Sequence, residues 1–492
     1  ARATKRAMEV GIRKVLGSER WQLIGQFLSE SVLLTLLALL LSFGIVNVLL
    51  PLFNDLFELN LQRILLWSPT ILLQALGIVL LIGFLGGSYP AFYLSSFRPI
   101  SVLKGRLAKG SGNPGLRKAL VMVQFMITLF MLAGTGVIYD QMNYLRNKDL
   151  GFDKEHVMTF AFGSREDRND YPVLRQKLLQ NPKIVSIGTC STTPGRGYGK
   201  NLSNIENAEG VMEQKGIDSY RVDFDFFPTL GVEMVEGRPF NPEMMTDSTA
   251  AIYVNEAMVE RMGWTDPIGK KFQNGTNDTL PIFRVIAVVK DFHQRSLYEP
   301  IAPLLFRPDF NNRVVHVRLQ PQNQGELTAL IADIEQDWRA VFPNQPFEYD
   351  FVDAAFMELY RSDQIRSRIF TFFSVLMIII ACLGLIGLAS FTAEQRTKEI
   401  GIRKIMGADT SNLILLLTRS FLVLVSLAAI PAFAAAWYFM NRWLDTFSYH
   451  TEMNYWLFAL AFVLTLAITF LMTGYHALKA ATGNPIEALR SE

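Results

Sequence analysis

Six stretches of the chain are strongly apolar and hold no Asp, Glu, Lys or Arg: Ser31–Asn54, Ile64–Phe97, Ala119–Tyr139, Ile369–Ala393, Ser420–Asn441 and Met453–Leu478. A helix rises about 1.5 Å per residue, so roughly 20 residues cross a hydrocarbon layer of about 30 Å. Every stretch reaches that length, and the pattern predicts six transmembrane helices. Between the third and fourth the pattern changes. Ala250–Val254 and Phe283–Val289 are β-branched runs of strand length, while Leu327, Leu330, Ile331, Ile334 and Trp338 recur at helical spacing. Clusters of Gly, Pro and Asn at Thr192–Asn201 and Asn274–Pro281 predict loops. This middle segment therefore reads as α+β.

Composition alone leaves the class open, since 50% hydrophobic residues and a net charge of +2 suit many soluble proteins. The small net charge implies no global attraction to nucleic acid. The placement of charge is more informative, because Lys and Arg near membrane ends mark the cytoplasmic side. Arg2, Lys5, Arg6, Arg13, Lys14 and Arg20 precede the first span. Arg98, Lys104, Arg106, Lys109, Arg117 and Lys118 lie between the second and third, and Arg396, Lys398, Arg403, Lys404 and Arg419 between the fourth and fifth. The alternate connections hold Arg63 alone and Arg442 alone. The expected topology has both termini in the cytoplasm, six spans, and the middle segment outside. The predicted fold is an α-helical polytopic membrane protein with one extracytoplasmic α+β domain. Cys190 and Cys382 fall in different regions, so a bridge between them is not expected.

An internal repeat organises the chain. Glu9-Val-Gly-Ile-Arg-Lys-Val-Leu-Gly17 recurs as Glu399-Ile-Gly-Ile-Arg-Lys-Ile-Met-Gly407, identical at six of nine positions. Each copy precedes two spans, and each pair of spans is followed by a Pro-Ile and Leu-Lys/Arg echo, at Pro99, Ile100, Leu103 and Lys104 and at Pro485, Ile486, Leu489 and Arg490. The expected domains are a cytoplasmic segment 1–30, two spans in 31–97, a cytoplasmic linker 98–118, a span 119–139, the external domain 140–368, a span 369–393, a second cytoplasmic segment 394–419, two spans in 420–478 and a tail 479–492. The second half has a span and an external domain that the first lacks. By symmetry, a further span, external domain and span are expected ahead of Ala1.

Within the repeated element, Ile12, Val15 and Leu16 share one face of a short helix, as do Ile402, Ile405 and Met406. Arg13 and Lys14, and Arg403 and Lys404, point elsewhere. Gly17 and Gly407 supply helix stops, and Glu9 and Glu399 sit near the N-terminal end, where negative charge is favoured. One reading is an interfacial amphipathic helix resting on anionic lipid. Two copies at equivalent places suit a two-lobed cytoplasmic partner better.

The element, with Glu9, Gly11, Arg13, Lys14 and Gly17 in one copy and Glu399, Gly401, Arg403, Lys404 and Gly407 in the other, resembles the signature of the FtsX/MacB-like ABC permease family. The middle segment is similar to that family's periplasmic core domain at Val222–Gly231, Glu236–Phe240, Val254–Ala257, Asp266–Lys270, Val288–His293 and Ser296-Leu297. The resemblance implies that the repeated element is a coupling helix seated on a nucleotide-binding subunit. It also implies an ATPase dimer in the cytoplasm that holds ATP and Mg, with no cofactor bound by this chain. A location in the cell (inner) membrane and a periplasmic or outer-membrane partner are further expectations. Ile138, Met142 and Leu145 continue helical spacing out of the third span, and Phe356, Leu359 and Tyr360 lead into the fourth; these extensions form either a rigid stalk joining membrane to external domain or ordinary helix ends with packed faces.

Chemistry of other kinds is poorly supported. Gly263–Lys270 superficially resembles a phosphate loop but has five residues between its glycines, and Lys271 stands where Ser or Thr would bind Mg²⁺. His156, His293, His316, His450 and His476 show no metal-ligand spacing. Asp291 and His293 are close in sequence, but a turn or interface role is expected for them. His476, near the cytoplasmic end of the last span, is the one ionisable candidate there. Pro431 is expected to kink the fifth span. Two functions remain open: an ABC permease driven by a separate ATPase, for export or for mechanical movement of the external domain, and a non-transporting sensor that binds an external ligand or controls a cell-wall hydrolase.

Overall fold

The computed structural model describes residues 13–62, 64, 67–95, 114–197, 199–275, 281–395, 397–407 and 409–482. Among these residues, six helices are long and apolar enough to cross a membrane. They lie within α1 (Arg20–Phe57), α2 (Pro69–Ser95), α3 (Pro114–Asn147), α10 (Arg361–Gln395), α12 (Thr410–Leu444) and α13 (Tyr455–Thr482). The short α11 (Thr397–Ile405) lies between α10 and α12. The chain divides into two units, one of Ala1–Ile138, Ile365–Met440 and Asn454–Glu492, the other of Tyr139–Gln364 and Asn441–Met453.

In the helical unit, α1 begins at a capping box, in which the Glu19 amide donates to the Gln22 side chain (3.1 Å). It packs on α2 through glycines. A Cβ at Gly83 would lie 2.6 Å from Thr35 Oγ1 and one at Gly87 2.7 Å from Ser31 Cβ, so the helices approach as only small residues allow. Helices α3, α10 and α12 share a core built on Phe125, Leu129, Leu385, Ala389, Phe421 and Val425. Ala428, Ala432 and Ala436 line the buried face of α12, which continues as a helix through Pro431. Buried hydroxyls in α13 are satisfied locally: Thr465, Thr469 and Thr473 each donate to the carbonyl four residues earlier, at 2.7–2.8 Å.

Among the described residues the α+β unit has eleven strands: β1 (Val157–Ala161), β2 (Ile184–Cys190), β3 (Gly199–Glu206), β4 (Met212–Val222), β5 (Met234–Gly237), β6 (Ala251–Asn255), β7 (Lys271–Asn274), β8 (Ile282–Val289), β9 (Leu304–Pro308), β10 (Val314–Leu319) and β11 (Tyr349–Phe351). The order β4-β3-β7-β8-β6-β9 closes on itself, because β9 also pairs with β4. The result is a six-stranded ring with a wing of β2, β10, β1 and β11. The expected loops are trimmed by pairing: Gly199–Asn201 lie in β3 and Asn274 ends β7.

Helices α4 (Tyr171–Leu178) and α8 (Gln324–Val341) cover the wing, burying Leu174, Leu330, Ile334 and Trp338 against Phe160, Ile187, Val315 and Val317. Asn323 caps α8 by accepting from the Glu326 amide (2.9 Å). The remaining helices are α5 (Phe226–Leu230), α6 (Met245–Thr249), α7 (Glu256–Met262) and α9 (Val352–Glu358). A second core gathers Leu145, Tyr220, Phe226, Tyr253, Phe306, Phe356 and Tyr360. A third lies about the ring and contains Ile205, Ile217, Val254, Phe272 and Leu305. Cys190 and Cys382 are both free thiols.

Candidate functional site: the repeated basic elements and their setting

Glu9 and Gly11 lie outside the described residues. The rest of the first copy can be followed. Residues 13–15 form a helical turn that ends at Gly17, whose φ of +98° is a left-handed conformation suited to glycine. Lys14 Nζ donates to the carbonyl of buried Ser95 (2.6 Å), and Arg13 donates to Gln26 Oε1 (2.7 Å). Burial, reinforced by the Arg20 guanidinium, holds the Lys14 ammonium below its usual pKa. In the second copy, Glu399, Gly401, Arg403 and Lys404 lie in α11, which stops at Gly407 with φ +86°. Arg403 pairs with Glu399 one turn earlier (2.8 Å). Exposed i,i+4 pairs of this kind contribute about 0.3–0.5 kcal/mol, so this one shapes the helix more than it stabilises it.

The apolar residues of the element divide in two. Ile400 is buried against Leu413, Leu417 and Ala477, which fixes α11 to the helices that follow. Ile402, Ile405 and Met406 are exposed, as are Val15 and Leu16; Leu16 is 80% exposed and Met406 82%. The face expected to be apolar is therefore turned outward in the second copy, as are Val15 and Leu16 of the first, whose Ile12 lies outside the described residues.

The other sequence candidates have structural partners. Asp291 Oδ1 accepts from the Asn255 side chain (2.7 Å) and the Ala257 amide (3.0 Å). Asn255 is fully buried and also bonds the Ala302 carbonyl and the Met258 and Leu304 amides. His293 is buried with its ring edge-on to Tyr449 (4.7 Å). Asp291 and His293 thus serve a turn and a packing contact rather than each other. In the Glu236–Phe240 stretch, Arg238 holds buried Asp247 through both terminal nitrogens. Gly237 has φ +93° and lies where a Cβ would meet the Ile286 carbonyl oxygen at 2.2 Å, so that turn requires glycine. His476 lies in α13 with its ring 5.5 Å from that of Tyr475. Among the described residues, no group of three or more His, Cys, Asp or Glu is placed to hold a metal.

One feature of the site escaped sequence reasoning. Asn441–Met453, the link between α12 and α13, folds as part of the α+β unit. Phe447 stacks on Tyr298 at 4.1 Å, the Tyr449 amide donates to the Leu297 carbonyl (3.1 Å), and Ser448 Oγ donates to the Tyr298 carbonyl (2.9 Å). Buried Gln141 in α3 accepts from the Thr451 amide (2.9 Å). Leu297 and Tyr298 also meet the start of α10, where Tyr360 Oη accepts from the Leu297 amide (2.6 Å) and Tyr298 Oη donates to Asp363 (2.8 Å). Aromatic residues clustered in a short external link (Trp443, Phe447 and Tyr449) were the available signal.

Comparison with known proteins bears on the whole arrangement. The FtsX-like permease C-terminal domain matches residues 1–99 and again 371–485, one match in each half of the repeat. The MacB-like periplasmic core domain matches residues 121–336. The chain is 32% identical over 109 residues to a macrolide export ATP-binding/permease protein MacB of Bdellovibrio bacteriovorus, covering 20% of this chain and 15% of that one. It is 25% identical over 332 residues to the macrolide export ATP-binding/permease protein MacB 2 of Aeromonas hydrophila subsp. hydrophila, covering 64% and 48%. The periplasmic region of MacB from Actinobacillus actinomycetemcomitans aligns at 15% identity over 42% of this chain and 94% of that one, with a TM-score of 0.30. The chain spans less than half the length of the curated relatives it matches. With six membrane helices, a duplicated permease domain and an extracytoplasmic α+β domain between its copies, the chain is an FtsX/MacB-like permease of the ABC transporter class.

Proposed function

We propose that the chain is an ABC permease subunit in which a cytoplasmic ATPase dimer, carried by a separate polypeptide, drives export or movement of the α+β domain. The observation that carries this reading is the pair of outward-facing apolar patches on the repeated elements, Val15 and Leu16 in one copy and Ile402, Ile405 and Met406 in the other. Each copy ends at a left-handed glycine just before a span, so force applied to it passes directly into a membrane helix. The proposed orientation keeps both termini in the cytoplasm of a cell with its inner membrane as the host, and the ATP and Mg belong to the partner. The names of the relatives pair ATP binding with permease function, which supports an ATP-hydrolysing partner for the domains found here.

Reversing the charge of Lys14 would also disturb its bond to Ser95, so exposed apolar positions give the cleaner test. Leu16→Asp together with Met406→Asp is expected to leave membrane insertion intact and to abolish co-purification of an ATPase subunit. Recovery of undiminished ATPase with this double variant would refute the docking role. A sensor would copurify no partner that contains a phosphate loop, even as wild type.

A further inference from the structure

The α+β unit contains a cavity of about 370 Å³ at the closed strand ring. Its wall is a matched pair of parallel strands. In the β4–β9 register Ser219 faces Leu305 and Arg221 faces Arg307, so both arginines lie side by side on the face opposite core residues Tyr220 and Phe306. Phe272 and Leu305, both buried in the ring's own core, form an apolar floor, and Asn274 adds a polar rim.

Two guanidinium groups directly opposite on neighbouring strands repel, and a sheet ordinarily avoids such a pair or supplies an acid for each member. Here the supply is incomplete. Arg221 pairs with Asp309 (3.3 Å). Arg307 is partly buried, and its guanidinium carbon lies 5.7 Å from the centre of the Phe283 ring. Among the described residues no oxygen accepts a hydrogen bond from it. Burial, with Arg221 adding to it, depresses the Arg307 pKa despite Asp309. A planar, five-donor cation left without acceptors at the wall of a polar cavity favours an anion that takes two parallel N–H bonds.

We propose that this cavity is a binding site for a small anionic molecule, with Arg307 and Arg221 clamping its carboxylate or phosphate group and Phe272 and Leu305 receiving its apolar part. The site is independent of the ATPase reading, because binding here needs no cytoplasmic partner.

Two substitutions test it on the full chain in detergent. Arg307→Gln removes the unpaired cation. Gly199→Leu narrows the mouth instead: a Cβ there meets no atom within 4 Å, so the side chain enters open space without disturbing the strand. Citrate and inorganic phosphate are titrated by calorimetry at low ionic strength, with thermal unfolding as the check on folding. Wild type is expected to bind at least one anion, and both variants to weaken it about tenfold or more, with Arg307→Lys intermediate. Citrate binding alone assigns a carboxylate ligand, phosphate binding alone a phosphorylated one, and binding of both a general anion site. Absence of binding by wild type, or unchanged affinity in a folded Arg307→Gln or Gly199→Leu variant, overturns the proposal.

Discussion

At the residue scale, buried titratable groups of the α+β unit set its response to acid. His316 is fully buried with its ring edge-on to Phe226 (5.3 Å), and burial pushes its pKa down to about 3. Burial likewise lowers His293 to about 4. In the unfolded chain both titrate near pH ~6.5. Because the folded values are lower, the unfolded state takes up protons first on acidification, and stability falls as pH drops below ~6.5, by about 1.4 kcal/mol per unit for each group. Asp223, raised to about 6 chiefly by burial, has the opposite sign. Its cost grows as pH rises from ~3.9 to about 6, so acidification through that window relieves it and partly offsets the histidines. Denaturation of the purified chain at a series of pH values is expected to show the steepest loss just below pH 6.5. His316→Phe keeps the edge-on ring contact and removes one titration; because Asp223 then offsets much of what His293 alone contributes, stability should fall less than half as steeply there. An unchanged slope would mean that His316 is protonated in the fold. The sequence marked His316 only as lacking metal-ligand spacing, because the burial that lowers its pKa comes from β2 and α5, far away in the chain.

Elements were the most legible level. Uninterrupted apolar runs state a membrane span directly, and the local periodicity of α8 was visible from Leu327 onward. The closed ring was not, since its parallel pairings join β4 to β9 and β6 to β8, segments whose alternation says nothing about their neighbours. Packing between spans was also hidden, because lipid and helix interiors are equally apolar. The α1–α2 crossing shows what decides it. A methyl group at Gly83 meets Thr35 Oγ1 at 2.6 Å and the Val32 backbone at 3.1 Å, and backbone cannot move aside as a side-chain tip can. Gly83→Ala is therefore expected to destabilise the pair by about 1–3 kcal/mol. Gly77→Ala, where nothing lies within 4 Å, is expected to be neutral or to stabilise by up to about 1 kcal/mol through helix propensity. Thermal unfolding in detergent compares the two. Equal effects would show that close approach does not govern this crossing.

For the whole molecule, the informative link is Asn441–Met453. The charge pattern presented it as a short connection with Arg442 its only basic residue, yet it folds within the α+β unit against Leu297 and Tyr298. Tyr360 and Asp363, at the approach to α10, bond the same two residues, and Gln141 in α3 bonds the link itself. Segments continuous with α3, α10, α12 and α13 thus converge on one small region. If the ATPase drives the membrane helices as proposed, this is where their displacement enters the α+β domain. Phe447→Ala removes a buried ring from the Tyr298 stack, a loss of about 3–5 kcal/mol that falls on these local contacts. Hydrogen exchange should rise in residues 295–299 and 441–453, while the wing around Trp338, a separate core, stays protected. With the partner bound, ATP turnover should persist while nucleotide-dependent changes in exchange across the ring strands diminish. Turnover and ring response falling together would place the transmission elsewhere, whereas retention of both would make the link a passive tether.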